Sequence, residues 1–520
     1  MTEKGRTEYS AKNTTMAIIG RGMAILMGFV GRVVFTHTLS EDYVGINGLF
    51  TDILNVLALS ELGVGTAITY ALYKPIAEKD MEKQKSLMKI YQFFYRIVAM
   101  FVLIAGLLVI PFMDILIKNQ PQVGHLTLIY MMYLANSVIS YWWSYKKTLI
   151  DAHQLSYIGV LYQTSSWVIQ NILQIIILLT TRNFILYLSI LILCTLANNI
   201  CISRKADKMY PYLKDKNVKK LDKEERKDIV RNIKAMLMHK VGNVAVNNTD
   251  NLLLSALVGT IAVGKYSNYY LIIRSVKQVL EQMFQGIAAS VGNMGVEEGK
   301  ERIRKIFEAT FFCGQWMYGV ITICLYEILD IFVGLSFGTQ YVFHGSVTLV
   351  LCLNFYLSGM RQATLVFRDS MGLFTYDRYK AIAEAVINLV VSLVLGYFFG
   401  KIGIFLGTMI STITTSLWVE PYMLYKHRLE MSSKGYFIKY FIYASITFVL
   451  WFAQDRVCQY IQMDNLWMTC ILRLLVCFVI TNLIYLLIYH RTREFELLKK
   501  KGIYLIQKWL GRNGTYGNAK

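Results

Sequence analysis

Six basic side chains within apolar stretches of the sequence are candidates for binding an anion. A charged side chain at the centre of a bilayer costs about 2.5–3.5 kcal/mol on insertion scales, so it normally faces protein or water. Cations outnumber anions among these deep positions, and a watery cavity lined in this way favours a phosphate or a pyrophosphate. The six candidates are Arg21, Arg32, Lys240, Arg274, Lys277 and Arg361.

The apolar segment from 235 to 258 carries a stripe of polar residues at helical spacing. The first apolar segment places Arg21 and Arg32 on an equivalent stripe, and two equivalent polar faces predict a shared lumen. Asp52, Glu61 and Asp250 are carboxylates that are candidates for taking up a coupling proton or sodium ion. The polar stripe next to Lys240 consists of Asn243, Asn247, Asp250 and Asn251.

Several of these charges have a simpler structural interpretation, which stays open at this point. Lys240 and Arg361 lie about two turns from the inner face, and Arg32 lies near the outer face, so each can extend to the membrane surface. Lys277 and Glu281 are four residues apart and can neutralise each other on one helix.

Arg274 is the hardest of the cations to explain by position, because it lies far from both ends of its segment. We expect it to face a cavity and, with Arg21 and Lys240, to attract an anionic group. Three glutamates near segment ends are expected at the membrane interface: Glu308, Glu384 and Glu420.

Fourteen apolar segments position these residues. The chain has 520 residues, of which 55% are hydrophobic and only 17% charged, and a membrane span needs about 20 apolar residues. The sequence therefore predicts an all-α polytopic membrane protein. The predicted spans are 14–37, 44–72, 90–117, 124–149, 157–180, 183–203, 235–258, 264–292, 306–334, 342–367, 379–399, 402–425, 436–454 and 465–489.

The formal charge of +20 reflects membrane topology and not nucleic-acid binding. With both termini in the cytoplasm, inner connections and helix ends carry 41 of the 54 Lys and Arg residues, whereas outer connections carry five. Basic residues on the inner side also suit anionic lipid headgroups. No connection is long enough for a soluble catalytic domain, so we expect no enzyme, no metal and no nucleic-acid partner.

The sequence repeats itself at an offset of 219 residues. Val44-Gly45 corresponds to Val263-Gly264, and charged residues in the loop after 78 correspond to those after 297. An even number of spans in each half predicts two six-helix lobes of the same orientation, as in transporters with parallel repeats. The predicted parts are an N-terminal lobe at 1–203, a basic cytoplasmic linker at 204–234, a second lobe at 235–428, two extra helices at 429–490 and a basic tail at 491–520.

The chain resembles the polysaccharide or oligosaccharide flippases of the multidrug/oligosaccharidyl-lipid/polysaccharide (MOP) exporter superfamily. The resemblance is carried by KNTTMAIIGRGMAILMGFVGRVVFTHTLS (12–40) and the following residues 41–80, by NNTDNLLLSALVGTIAVGKYSNYYLIIRSV (247–276), and by GKIGIFLGTMISTITTS (400–416). It covers about residues 10–430. It implies alternating access, a cationic lumen, and export of a polyprenyl-diphosphate-linked oligosaccharide across the bacterial cytoplasmic membrane for cell-surface polysaccharide synthesis.

Partners and driving force follow from the same resemblance. The expected partners are the lipid-linked oligosaccharide and membrane lipids, with other polysaccharide-assembly proteins left open. No cofactor is expected, and a proton or sodium gradient is left open. Three alternatives remain: a lipid II-type flippase, a drug/cation antiporter of the same superfamily, and a membrane-embedded glycosyltransferase or polymerase, which the short outer loops disfavour.

Overall fold

The structure is a computed structural model that describes residues 3–58, 64–118, 121–142, 145–215, 218, 227, 249–297, 299–343, 345–371, 373 and 379–500. Every regular element within these ranges is helical. The first half contains α1 (Glu3–Thr38), α2 (Glu41–Leu57), α3 (Val64–Ala77), α4 (Met81–Val109), α5 (Met113–Leu116), α6 (Leu126–Trp142), α7 (Tyr145–Ala152), α8 (Ser156–Thr181) and α9 (Phe184–Met209).

The second half continues the all-helical pattern, which confirms the predicted fold class. It contains α10 (Thr260–Glu297), α11 (Lys300–Phe337), α12 (Ser346–Met360), α13 (Gln362–Ser370), α14 (Lys380–Phe399), α15 (Lys401–Thr414), α16 (Ser416–Leu424), α17 (Lys434–Gln459) and α18 (Leu466–Tyr489).

Ten helical stretches in the described ranges are long and apolar enough to cross a membrane. This property makes the chain an integral membrane protein. The stretches are Ile18–Thr38, Met81–Leu116, Ser156–Thr181, Phe184–Met209, Lys300–Phe337, Ser346–Ser370, Lys380–Phe399, Lys401–Leu429, Lys434–Gln459 and Leu466–Tyr489.

The other four predicted spans are not among these ten stretches, and each has an identifiable reason. The span at 44–72 corresponds to α2 and α3, with 59–63 outside the described residues, and the span at 124–149 corresponds to the short helices α6 and α7. Most of the span at 235–258 lies outside the described residues. The span at 264–292 falls in α10, which is long but rich in polar residues.

The predicted repeat is visible in where the helices begin. α2 and α10 begin at Glu41 and Thr260, and α4 and α11 begin at Met81 and Lys300; each pair is 219 residues apart. α6 and α12 begin at Leu126 and Ser346, one residue off that spacing. Equivalent helices also pack equivalently, because α4 packs on α6 and α11 packs on α12.

The chain forms two compact units. The first comprises Met1–Leu271 with Gly396–Ile404, and in it α8 packs between α1 and α9. The second comprises Ile272–Leu395 with Phe405–Lys520, and in it α11 packs against α12, α17 and α18. Fully buried aromatic side chains of α11, including Phe307, Phe311 and Phe312, form the core of this second unit.

The beginning of the predicted cytoplasmic linker is attached to the first unit. α9 continues to Met209, and the chain after it returns to α4. Tyr212 donates a hydrogen bond to Gln84 (2.6 Å), and the buried Lys85 lies 3.0 Å from Asp215. The linker therefore starts as an ordered segment held by one hydrogen bond and one ion pair.

Candidate functional site

Helices α1 and α8 line a polar cavity of about 260 Å³ in the first unit. A Cβ added to Gly28 of α1 would lie 3.4 Å from the Trp167 ring, and one added to Gly31 would lie 2.9 Å from Asn171 Oδ1. Glycine at these positions therefore lets the two helices approach closely while bulky side chains of α8 occupy the space between them. The polar lining includes Arg32, Asn47, Gln170, Asn171, Gln174 and Ser267.

Arg32 supplies positive charge to this cavity. Its Nε donates a 2.6 Å hydrogen bond to Asn268 Oδ1, and its guanidinium carbon lies 5.8 Å from the centre of the Phe35 ring. Phe35 contacts the rings of Phe184 and Tyr187 edge-on, at 5.7 and 5.3 Å between centroids. Arg32 is thus held on the cavity wall by a cation–π contact and an amide, and its planar group suits a phosphate ligand.

Asp52, a predicted ion-coupling residue, meets the predicted polar stripe. Asn251 Nδ2 donates a hydrogen bond to Asp52 Oδ2, and Asn55 Nδ2 donates to Asp52 Oδ1 at 3.3 Å. Asp250 and Asn251 are each only 7% exposed. The structure therefore brings together a carboxylate of α2 and one stripe residue, Asn251, that is 199 positions away in the sequence.

α2 and α10 touch through repeat-equivalent residues. A Cβ added to Gly45 would lie 2.1 Å from the backbone oxygen of Thr260, and one added to Gly264 would lie 3.1 Å from the backbone nitrogen of Gly45. A Cβ added to Gly48 would lie 2.5 Å from Ser267 Oγ. Glycine at position 45 is therefore needed for the close approach of the two helices.

A buried carboxylate, Glu420, forms the centre of a cluster of charges in the second unit. Its side chain is 0% exposed and accepts hydrogen bonds from Arg361 Nε and Nη2 at 3.1 and 2.8 Å. Arg368 Nη1 donates to it at 3.4 Å, and Lys380 Nζ donates to the same oxygen. Three cations therefore converge on one carboxylate that is shielded from solvent.

A second carboxylate, Glu384, extends this cluster. It lies 3.5 Å from Arg361 Nη1, and it accepts a 2.5 Å hydrogen bond from Ser416 Oγ. Arg361 lies between α12 and α13, Glu384 lies on α14, and Glu420 lies on α16. The ion pairs therefore join these three helical regions. The cluster thus connects three parts of the second unit.

Lys277 also has a carboxylate neighbour. Its Nζ lies 3.8 Å from Glu281 one turn away on α10, and Gln362 Nε2 donates a 3.0 Å hydrogen bond to Glu281. This pairing agrees with the simpler interpretation of Lys277 and Glu281 as mutually neutralising charges.

Comparison with known protein families assigns the chain to one of them. Residues 10–288 match the family described as polysaccharide biosynthesis protein, which is more than half of the 520 residues. The chain belongs to this family. No curated protein sequence gives a significant match.

Solved structures of MOP-superfamily transporters share the fold of this polysaccharide biosynthesis protein. The lipid II flippase MurJ in an inward closed conformation is 13% identical, with a TM-score of 0.63 over 92% of this chain and 99% of that chain. A multidrug-resistance MATE transporter in an inward-facing conformation is 14% identical, with a TM-score of 0.57 over 77% of this chain and 94% of that chain. A MOP-superfamily transporter from Pyrococcus furiosus is 13% identical, with a TM-score of 0.52 over 82% of this chain and 97% of that chain.

The family match, with which this shared fold agrees, confirms the predicted membership of the chain in the MOP superfamily. Its family and its structural neighbours are transporters and flippases and not enzymes. The protein is therefore a membrane transporter or flippase of polysaccharide biosynthesis.

The predicted site residues fall into four groups. Arg32, Asp52 and Asn251 belong to the first unit, whereas Lys277 and Arg361 lie in the second, with Asp250 buried next to Asn251. Arg21 on α1 and Arg274 on α10 have exposed side chains. Four predicted residues lie outside the described residues: Glu61, Lys240, Asn243 and Asn247.

Glu384 and Glu420, which were predicted near the membrane interface, are buried within the protein, where neighbouring cations compensate their charge. The amide side chains of α8 were not predicted as a site. Their signal was present, since Gln163, Gln170 and Gln174 recur at helical spacing within an otherwise apolar helix.

Proposed function

We propose that this protein moves a polyprenyl-diphosphate-linked oligosaccharide repeat unit from the inner to the outer leaflet of the bacterial cytoplasmic membrane. Alternating access of the two lobes carries the substrate, and the exported unit serves cell-surface polysaccharide synthesis. Membership of the polysaccharide biosynthesis family supports this assignment.

The observation that carries the proposal is the Arg32 cavity within the membrane part of the chain. A lipid-linked oligosaccharide has an apolar tail, a diphosphate with at least two negative charges, and a glycan rich in hydroxyl groups. Arg32 offers N–H donors that suit phosphate oxygens, and the neighbouring amides offer both donors and acceptors for hydroxyl groups. A drug antiporter for cations would instead need an acidic or an apolar cavity.

The remaining predicted cations belong to the same proposal. Arg21, Arg274 and Lys240 attract the diphosphate as it enters, and Arg274 is the most deeply placed of them in the sequence. Lys277 and Arg361 contribute to the positive potential around the path even though carboxylates neighbour both of them. Asp52, Asp250 and Glu61 are the proposed sites for a coupling proton or sodium ion.

Replacing Arg32 by alanine is expected to lower export of the repeat unit roughly tenfold or more, because a charged hydrogen bond to the diphosphate is lost. Arg32→Lys is expected to restore export only in part, since lysine lacks the planar fork. The measurement is the amount of surface polysaccharide, together with the lipid-linked sugar retained in the inner leaflet, in cells lacking the native gene.

Arg456→Ala provides the control, because Arg456 is an exposed arginine near the end of α17 whose guanidinium lies over Phe452. Export at the wild-type level by Arg32→Ala, at normal protein abundance, would contradict the proposed role of Arg32. If the wild-type protein restored lipid II transport or drug resistance to cells that lack those activities, and did not restore polysaccharide export, the lipid II flippase or the drug antiporter would be favoured instead.

Both termini and the linker are proposed to be cytoplasmic, on the basis of the Lys and Arg distribution. A membrane-impermeant maleimide applied to intact cells is then expected to label Gln462→Cys strongly and Ser432→Cys only after permeabilisation. Both positions are exposed and flank α17 on opposite sides. The wild-type chain gives the background from its own cysteines, and labelling of Ser432→Cys from outside would reverse the orientation.

A further inference from the structure

A second polar cavity, of about 310 Å³, lies beside the Arg32 cavity in the first unit. Its lining contains several amide side chains, a threonine and an indole ring. The two cavities share Trp167 and Gln170. The polar lining of the second cavity includes Gln163, Gln170, Thr195, Asn198 and Asn199.

The shared residues place the two cavities next to each other along α8. The α8 residues that line them are at positions 163, 166, 167, 170, 171, 174, 175 and 178, which alternate in steps of three and one and therefore lie on one helix face. We call this face the α8 track. At 1.5 Å per residue it is roughly 20 Å long, which is enough for several sugar rings in a row.

The chemistry of the α8 track fits uncharged sugars. Each glutamine or asparagine offers two N–H donors and a carbonyl acceptor, and each sugar hydroxyl both donates and accepts. Trp167 offers an apolar ring surface to the C–H face of a sugar. Each cavity also has one basic side chain in its lining: Lys147, which donates a 2.9 Å hydrogen bond to Gln163, in one cavity, and Arg32 in the other.

Some of these amides are used to join helices, but not all of their polar atoms are. Gln174 Nε2 donates to the Tyr187 carbonyl at 3.2 Å, and Asn199 Nδ2 donates to the Ile139 carbonyl at 3.1 Å. In contrast, Asn198 Oδ1 is buried and accepts no hydrogen bond in the described part of the chain. A buried polar atom of this kind is unfavourable, and rotation of the amide into the cavity would let a ligand hydroxyl satisfy it.

We infer that the α8 track binds the uncharged sugar residues of the transported glycan and thereby sets which glycan is accepted. This inference rests on the proposed function, because it assumes a lipid-linked oligosaccharide as substrate. It assigns different parts of the substrate to different residues: the diphosphate to Arg32 and the sugars to the amides and Trp167.

The test compares binding of two lipids to the purified full-length protein. One is the lipid-linked oligosaccharide extracted from cells that lack this protein, and the other is bare polyprenyl diphosphate. We expect the wild type to bind the glycan-bearing lipid about tenfold more tightly or better, since several hydrogen bonds are added. Gln163→Leu on the α8 track combined with Asn198→Leu on α9 is expected to bring the two affinities close together while leaving binding of the bare diphosphate unchanged, because neither residue lines the Arg32 cavity.

Ser165→Ala is the matched control, because Ser165 is an exposed polar residue of α8 that lies outside the α8 track. Unchanged binding of the bare lipid shows that the double variant is folded. Equal affinities for the two lipids in the wild type, or an unchanged preference in the double variant, would overturn the inference. Failure of the proposed function looks different: cells lacking the protein accumulate no lipid-linked oligosaccharide, or the wild type binds neither lipid.

Discussion

Replacement of Glu420 by glutamine is expected to leave little folded protein in the membrane. Glutamine has nearly the same shape but no charge, so Arg361, Arg368 and Lys380 lose the carboxylate on which they converge. Removing one partner from a buried ion pair typically costs about 3–5 kcal/mol, because the other charges remain buried without compensation. That loss is a large part of the stability of most folded domains.

Abundance in the membrane and the thermal midpoint of the purified protein measure this effect. Asp369→Asn is the control, since Asp369 contacts Arg368 within the same cluster but its side chain is 58% exposed. An exposed pair contributes only about 0–1 kcal/mol, so this variant should resemble the wild type. The double variant Glu420→Gln, Arg361→Gln should recover part of the loss, and a Glu420→Gln variant of wild-type stability would contradict the assignment.

Replacement of Gly45 by valine is expected to lower export roughly tenfold or more while most of the protein remains inserted. Any Cβ at position 45 meets the backbone oxygen of Thr260, which cannot rotate away as a side chain can. Overpacking of this kind costs about 1–3 kcal/mol. If the close approach of α2 and α10 is one state of an alternating cycle, such a penalty shifts the balance of states roughly tenfold or more.

A graded series of glycine variants makes this prediction specific. Gly48→Ala is expected to have a smaller effect, because its nearest contact is the hydroxyl of Ser267, which can turn aside. Gly22→Ala should have none, since nothing lies within 4 Å of a Cβ at that position. Export should be highest for Gly22→Ala, lower for Gly48→Ala and lowest for Gly45→Val. Equal export by all three would show that the contact of α2 with α10 has no role in transport.

The sequence was sufficient for the features that depend on one helix at a time. Long apolar segments predicted spans that the structure describes, and the offset of 219 residues predicted helix starts such as Met81 and Lys300. The pairing of Lys277 with Glu281 followed from their separation by one turn. These are local properties, which periodicity and composition can reveal.

Features that depend on several helices could not be predicted from the sequence in the same way. Glu420 is next to its cations only after folding, because Arg361 and Lys380 are 59 and 40 residues away in the chain. The same holds for Asp52 and Asn251, which are 199 residues apart. The α8 track was accessible in principle, because its glutamines recur at helical spacing, but uncharged amides in an apolar segment give a weaker signal than ionised side chains.

The contact between α2 and α10 has a consequence for how far the two repeats of this chain can differ in sequence. Gly45 lies against Gly264 and Gly48 against Ser267, and both pairs are related by the repeat. In a homodimer of identical six-helix subunits such a contact would be isologous, so every substitution would alter both sides of it at once. In a single chain that carries both repeats this constraint is absent: glycine stands on both sides at one pair, whereas glycine faces serine at the other. A fused pseudo-dimer can thus vary one side of its contact surface independently, which no true homodimer can do.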